Sequence, residues 1–203
     1  MSAGDFWESA LYFLALINPV SKIFLLSAVT PPYPPRRLLR VSLSANGVAL
    51  LILVVLAAGG HLLLQQVFRV ELYSLQVGGG VVLFIIGLTA VTKGRFYERR
   101  LTAEDDIAIV PLGAPLIAGP GTITASICFS ARHGVAATML ALTVALTINC
   151  ALMLMSLGIA RTLERFAAIG PLIRISGLIV VAVAVQMTFN GFGDWLLAVG
   201  LRH

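Results

Sequence analysis

Charged side chains are scarce in this chain: 11% of its 203 residues are Asp, Glu, Lys or Arg, against 59% hydrophobic. That balance excludes a water-soluble globular domain, in which about a quarter of the residues are charged. Acids are the rarest. Asp5, Glu8, Glu71, Glu98, Glu104, Asp105, Asp106, Glu164 and Asp194 all fall at span ends or in loops, so the apolar runs contain no carboxylate relay for protons. The two cysteines, Cys128 and Cys150, match no metal-ligand or redox spacing and read as small buried apolar residues. A Walker loop, paired catalytic carboxylates and a nucleophile triad are missing too, which argues against an enzyme and means that an ATP-driven pump would need a partner. No cofactor or metal site is expected. Asp5 and Glu8 stand where a cleaved signal would be basic, so the first apolar segment is expected to stay as a helix.

Apolar runs, by contrast, fill the chain. Windows of roughly 20 residues, the length that crosses about 30 Å of hydrocarbon as helix, occur at Phe6 to Val29, Val41 to Leu64, Leu72 to Thr92, Ile107 to Ser130, Val135 to Ala160 and Leu172 to Val199. The expected fold is an all-α membrane protein of six transmembrane helices, with the lipid bilayer as its solvent. The net charge of +5 does not point to nucleic acid, because the basic residues sit in short loops. Arg36, Arg37 and Arg40 follow the first span, Lys93, Arg95, Arg99 and Arg100 the third, and Arg161, Arg165 and Arg174 surround the link between the fifth and sixth. The opposite side has Arg69, Arg132 and Arg202. The positive-inside bias then puts the odd loops in the cytoplasm and both termini outside. His61 and His133 lie near span ends and read as interfacial, and "TPPYPPRR" at 30–37 reads as a stiff turn.

The polar stretch "KGRFYERRLTAEDD" divides the chain into a first repeat, 1–92, a cytoplasmic linker, 93–106, and a second repeat, 107–203, within one membrane domain. Three spans per half force the halves into opposite orientations. "INPVS" at 17–21 lies over "AGPGT" at 118–122, Asn46 over Asn149, and "GGVVLFIIGLT" over "SGLIVVAVAVQ", with Gly80 matched to Gly177. Pro19 and Pro120 each remove a backbone hydrogen bond from a span interior, and Gly119 and Gly121 weaken the helix further. Helices 1 and 4 are therefore expected to break near mid-membrane. Irregular backbone at that depth survives only where protein or a watery cavity satisfies it. Matched interruptions in inverted halves point to the binding site of a secondary transporter.

At "VPLGAPLIAGPGTIT", residues 110–124, the sequence resembles the MarC family of bacterial inner-membrane proteins, also described as neutral amino acid transporters. The resemblance runs nearly end to end and includes Asn18-Pro19, the "GGG" of the third span and "RISGLIVVAVAVQMTFNG" at 174–191. It implies two inverted three-helix repeats, distantly similar to the LysE exporters, in a bacterial inner membrane, with transport of small neutral amino acids such as glycine or alanine. It implies drug efflux only weakly. The chain departs from the family pattern at Ser21 and Lys22, where a Gly and then a small or hydroxyl residue are usual, at Phe24, where a Pro is common, and at Gln76, where an Arg is usual; the sixth-span counterpart is kept as Arg174.

An amino acid zwitterion needs donors for its carboxylate and acceptors for its ammonium, and a broken helix exposes both. The amides around Gly119, Gly121 and Thr122, flanking Pro120, are expected to hold the carboxylate. Carbonyls near Ile17 or Ala118, with Asn18 beside Pro19 and Ser21, are expected to take the ammonium, and Asn46, Asn149 and Gln186 to close the shell. A lone intramembrane amide is equally ordinary helix glue. Lys22 costs a few kcal/mol inside a span. It either faces the cavity, as a partner for the carboxylate or a group that exchanges a proton, or snorkels to the cytoplasmic surface. A coupling ion, H+ through Lys22, a terminal carboxylate or the substrate, or Na+ on backbone carbonyls, fits this chemistry. Besides amino acid transport, two readings stand: export of another small metabolite or toxic compound, and a non-transporting membrane subunit that docks a partner.

Overall fold

A computed structural model describes residues 3–29, 31–94 and 108–200, and among these every regular element is helical. Among the described residues five helices are long and apolar enough to cross a membrane: Phe6–Ser27, Pro35–Gly60, Leu72–Lys93, Val135–Leu154 and Ile169–Gly200. Their outward faces carry large apolar side chains such as Leu43, Leu51, Leu140, Leu178 and Leu197, as a surface against lipid tails requires.

The first of these spans is two helices end to end, α1 (Ala3–Ile17) and α2 (Pro19–Ser27), with Asn18 between them in the left-handed region at φ 53°. Pro19 opens α2 because the first helical position needs no N–H. Helix α3 (Pro35–Leu62) starts six residues before the expected Val41, since Pro35 likewise fits a helix start, and continues into a π-helical stretch, Leu63–Phe68. The turn before it is held by Arg37 stacked 4.9 Å over the Tyr33 ring. Helix α4 (Leu72–Lys93) ends at Gly94, whose φ of 65° suits a residue without Cβ. The rest of the linker expected at 93–106 lies outside the described residues.

The next apolar stretch is split. A π-helical segment, Ala108–Ile117, stops at Ala118 and Gly119, and α5 (Pro120–His133) begins with its own proline. Neither piece, of 10 and 14 residues, crosses a membrane alone. Helix α6 (Val135–Leu154) stops short of the expected Ala160. A turn at Met155 hands over to α7 (Ser156–Arg165), whose Arg161, Glu164 and Arg165 are exposed and could not continue into hydrocarbon. Helix α8 (Ile169–Gly200) closes the chain.

Helices α4 and α8 pack along their lengths, and α3 packs on α5, α6 and the π-helical segment before α5. The α4–α8 approach is backbone-close: a Cβ on Gly177 would stand 3.0 Å from the Gly87 carbonyl, and one on Gly80 2.9 Å from that of Ala184. Small residues let membrane helices gain van der Waals contact this way. The core between these layers holds Phe13, Ile17, Leu53, Leu112, Ile117 and Leu142, and it surrounds both helix breaks.

Candidate functional site

Each break leaves carbonyls without intrahelical partners, and in each a side chain from the first turn of the following helix reaches back to satisfy one. At the first, Ser21 Oγ donates to the Asn18 carbonyl at 2.8 Å and Lys22 Nζ donates to that of Ile17. At the second, Thr122 Oγ1 donates to the Ile117 carbonyl at 3.0 Å. Asn18 caps α2 through its own side-chain oxygen, which accepts from the Ser21 N–H at 3.4 Å. Its Nδ2, buried with the rest of the residue, has no partner among the described residues.

Lys22 joins the two breaks. Its side chain is 2% exposed, and besides Ile17 it donates to the Leu116 carbonyl at 2.8 Å, in the segment before α5. The snorkelling alternative is thereby set aside, because the ammonium ends among main-chain carbonyls inside the bundle. Around it lies a cavity of about 40 Å³ lined by Asn18, Ser21, Lys22, Gly119, Pro120, Gly121 and Thr122 with apolar neighbours such as Leu83 and Val180. Among the described residues that line it there is no carboxylate. Its volume suits a few water molecules, so the site is closed around less than an amino acid.

Seven of the expected site residues thus meet here or beside it, Pro19 alone among the break residues facing outward. Pro19 lines a larger apolar groove of about 570 Å³, with Leu14, Phe24, Leu152 and Ile179, and Asn18 lines both spaces. Three residues do not join. Asn149 Nδ2 donates to Asn46 Oδ1 at 2.8 Å, and both amides touch Met153 Sδ at 3.3 Å, so the two asparagines bind each other between α3 and α6, off the cavity's lining. Gln186 is exposed on α8 and bonded to Asn190 at 2.9 Å. It sits two positions past Ala184, the residue that faces α4, and so points away from the α4–α8 seam and does not line the cavity.

A second polar hollow of about 140 Å³, missed from sequence, lies near the end of α5 between Tyr12, Gln76, Cys128, Arg132, His133 and Asn190. Gln76 Oε1 is buried there without a partner among the described residues, Arg132 pairs with Asp194, and His133 stacks on Phe129 with centroids 4.2 Å apart. The one sequence signal was Gln76 itself, a lone amide near the start of an apolar run. Of the free cysteines, both expected to be buried, Cys128 is buried and Cys150 half-buried.

The family model for MarC family integral membrane proteins matches residues 4–196. A UPF0056 membrane protein of Pyrococcus horikoshii is 36% identical over 194 residues, covering 94% of each chain, and one of Aquifex aeolicus 30% identical over 202 residues, again with 94% of each. The UPF0056 membrane protein YhcE of Escherichia coli is 27% identical over 204 residues, 92% of this chain and 94% of its own. No solved structure matches the chain. Matched over nearly its whole length by the family model and by relatives of comparable size, the protein belongs to the MarC family of integral membrane proteins.

Proposed function

We propose that the protein is a multi-pass inner-membrane secondary transporter of small neutral amino acids of the glycine and alanine class, working by alternating access around the paired breaks. The observation that carries this reading is a small cavity, lined largely by buried residues, that both interrupted segments share. Unwound backbone at the interface of two halves is the arrangement that lets a transporter exchange a solute's hydration shell for its own polar groups. The solute's carboxylate goes to the first-turn N–H groups of α5 at Gly121 and Thr122 and to the unpartnered Asn18 amide. The cavity admits it only once α4 and α8, which contribute Leu83, Ile86 and Val180, draw back.

An architecture of six spans in two inverted repeats, with both termini periplasmic, supports the same cycle. The segment from Ala108 to His133 counts as the missing span once its two pieces are taken together. Positions matched between the halves also meet in space. Asn46 bonds Asn149. Gly80, matched to Gly177, approaches Ala184, while Gly87, matched to Ala184, approaches Gly177. Reciprocal contacts of this kind are what a two-fold relation produces at its axis.

The deciding experiment is counterflow in proteoliposomes loaded with glycine, alanine or serine and given labelled solute outside. Exchange of at least one of them is expected. Absence of exchange by folded protein would favour the second reading, a subunit that docks a partner, for which the open apolar groove beside Pro19 and Phe24 is the supporting observation.

A further inference from the structure

We propose that Lys22 is a tethered substitute for a bound monovalent cation: its ammonium fills a main-chain carbonyl site, formed by Ile17 and Leu116, that spans the two broken segments. The proposal rests on the reading of the breaks as a solute site and names how that site is charged.

The carbonyl of Ile17 ends α1, and that of Leu116 lies in the last turn before the second break. Helix C-terminal ends carry partial negative charge and orphan oxygens. In broken-helix transporters such oxygens are where a coupling Na+ is held. Here Lys22 Nζ already donates to both. It does so without a carboxylate among the described residues that line the cavity. A buried ammonium satisfied by carbonyl dipoles alone occupies the position of an alkali ion, not of one half of an ion pair. Two of its three N–H bonds are used. The third is left for an oxygen in the cavity, where Asn18 Nδ2, buried and unpartnered among the described residues, supplies a second donor. A solute carboxylate therefore completes the charge balance. Because the cation is covalently attached, it cannot run down a gradient, so sodium does not drive the cycle through this carbonyl pair.

The test is thermal unfolding of the purified full chain in detergent, in chloride salts of sodium, potassium and methylammonium, each against equal choline. For wild type the four salts are expected to give the same midpoint. In Lys22→Ala the vacated carbonyls take a free cation, and sodium or methylammonium at tenfold excess over its Kd raises the midpoint by about 4 °C. Lys22→Met, whose side chain fills the space without charge, is expected to respond to none. An alanine variant indifferent to every cation, or a wild type that sodium stabilises as much as it does the variant, overturns the proposal. Should Lys22→Ala fail to fold, wild-type unfolding and counterflow without sodium still decide, because a sodium-stabilised midpoint or an exchange rate that falls more than about threefold on sodium removal contradicts a tethered cation. Salt response without any solute exchange would remove the transporter reading and leave this one standing; exchange without salt response in the variant would do the reverse.

Discussion

The ammonium of Lys22 and the carbonyl oxygen of Leu116, 94 positions apart, are joined by a 2.8 Å hydrogen bond inside the bundle. Hydrogen bonds from charged donors contribute about twice as much as neutral ones, and this bond ties one interrupted segment to the other. Lys22→Met leaves Leu116 and Ile17 without that donor while keeping an unbranched side chain one atom shorter. Counterflow is expected to fall at least tenfold, with a monodisperse, folded protein in detergent. Full exchange by the methionine variant would take the lysine out of the mechanism.

The asparagine pair is expected to behave as helix glue. Asn149 is fully buried and donates to Asn46, whose own Nδ2 turns back to the Ser42 carbonyl at 2.8 Å. Replacing either by Leu strands the other's polar atoms, whereas replacing both removes the need. A double-mutant cycle of unfolding should give a coupling of about 0.6 to 1.7 kcal/mol, between the average and the largest values found between membrane helices. Zero coupling would mean that the two amides are held for some other purpose.

Much of this was readable from residue types. Proline placed both breaks, because a missing N–H forces the helix to restart wherever the chain is too apolar to leave the membrane. The glycines of the third and last spans, read in the sequence only as matched repeat positions, are where α4 and α8 approach most closely. What the sequence could not supply was direction. Asn46 and Asn149 looked like cavity amides because a lone amide in an aliphatic run gives no clue to which neighbour it faces. The same holds for Gln186, which bonds Asn190 one helical turn further on. Gln76 was noticed only as a departure from the family, since Arg132 and His133, which share its hollow, come from another helix. The expected role of the Ile17 carbonyl, a seat for a substrate ammonium, is filled by the protein's own.

Access to the site can be followed by thiol labelling in a background without Cys128 and Cys150. Ser21 and Thr122 are 6% and 2% exposed. Ser21→Cys and Thr122→Cys are expected to react slowly with a water-soluble maleimide, and several-fold more slowly again with saturating solute. Gln186→Cys, on the exposed face of α8, should not respond to solute. Equal rates for Thr122→Cys with and without solute would exclude that position from the binding site.

The Arg132–Asp194 pair offers a contrast with Lys22. Its side chains are 49% and 39% exposed, so water screens them and the pair stabilises little. Asp194→Asn is expected to change unfolding free energy by less than about 1 kcal/mol. A larger loss would show that the hollow beside Gln76 depends on that charge.

Finally, the α4–α8 seam should be sensitive to a single methyl group, because cores tolerate added volume only by shifting backbone. A Cβ on Gly177 would meet that of Ala90 at 2.8 Å and the Gly87 carbonyl at 3.0 Å, on backbone that belongs to the facing helix. Gly177→Ala is therefore expected to lower stability by about 1–3 kcal/mol, the usual cost of overpacking. Gly158, in α7, has nothing within 4 Å of the corresponding position. There the same substitution only reduces the freedom of the unfolded chain and should stabilise by about 0.4–1 kcal/mol. Denaturation of both variants in one detergent separates the cases. If the two alanines shifted stability alike, the close approach of α4 to α8 could not be what holds the third and last spans together.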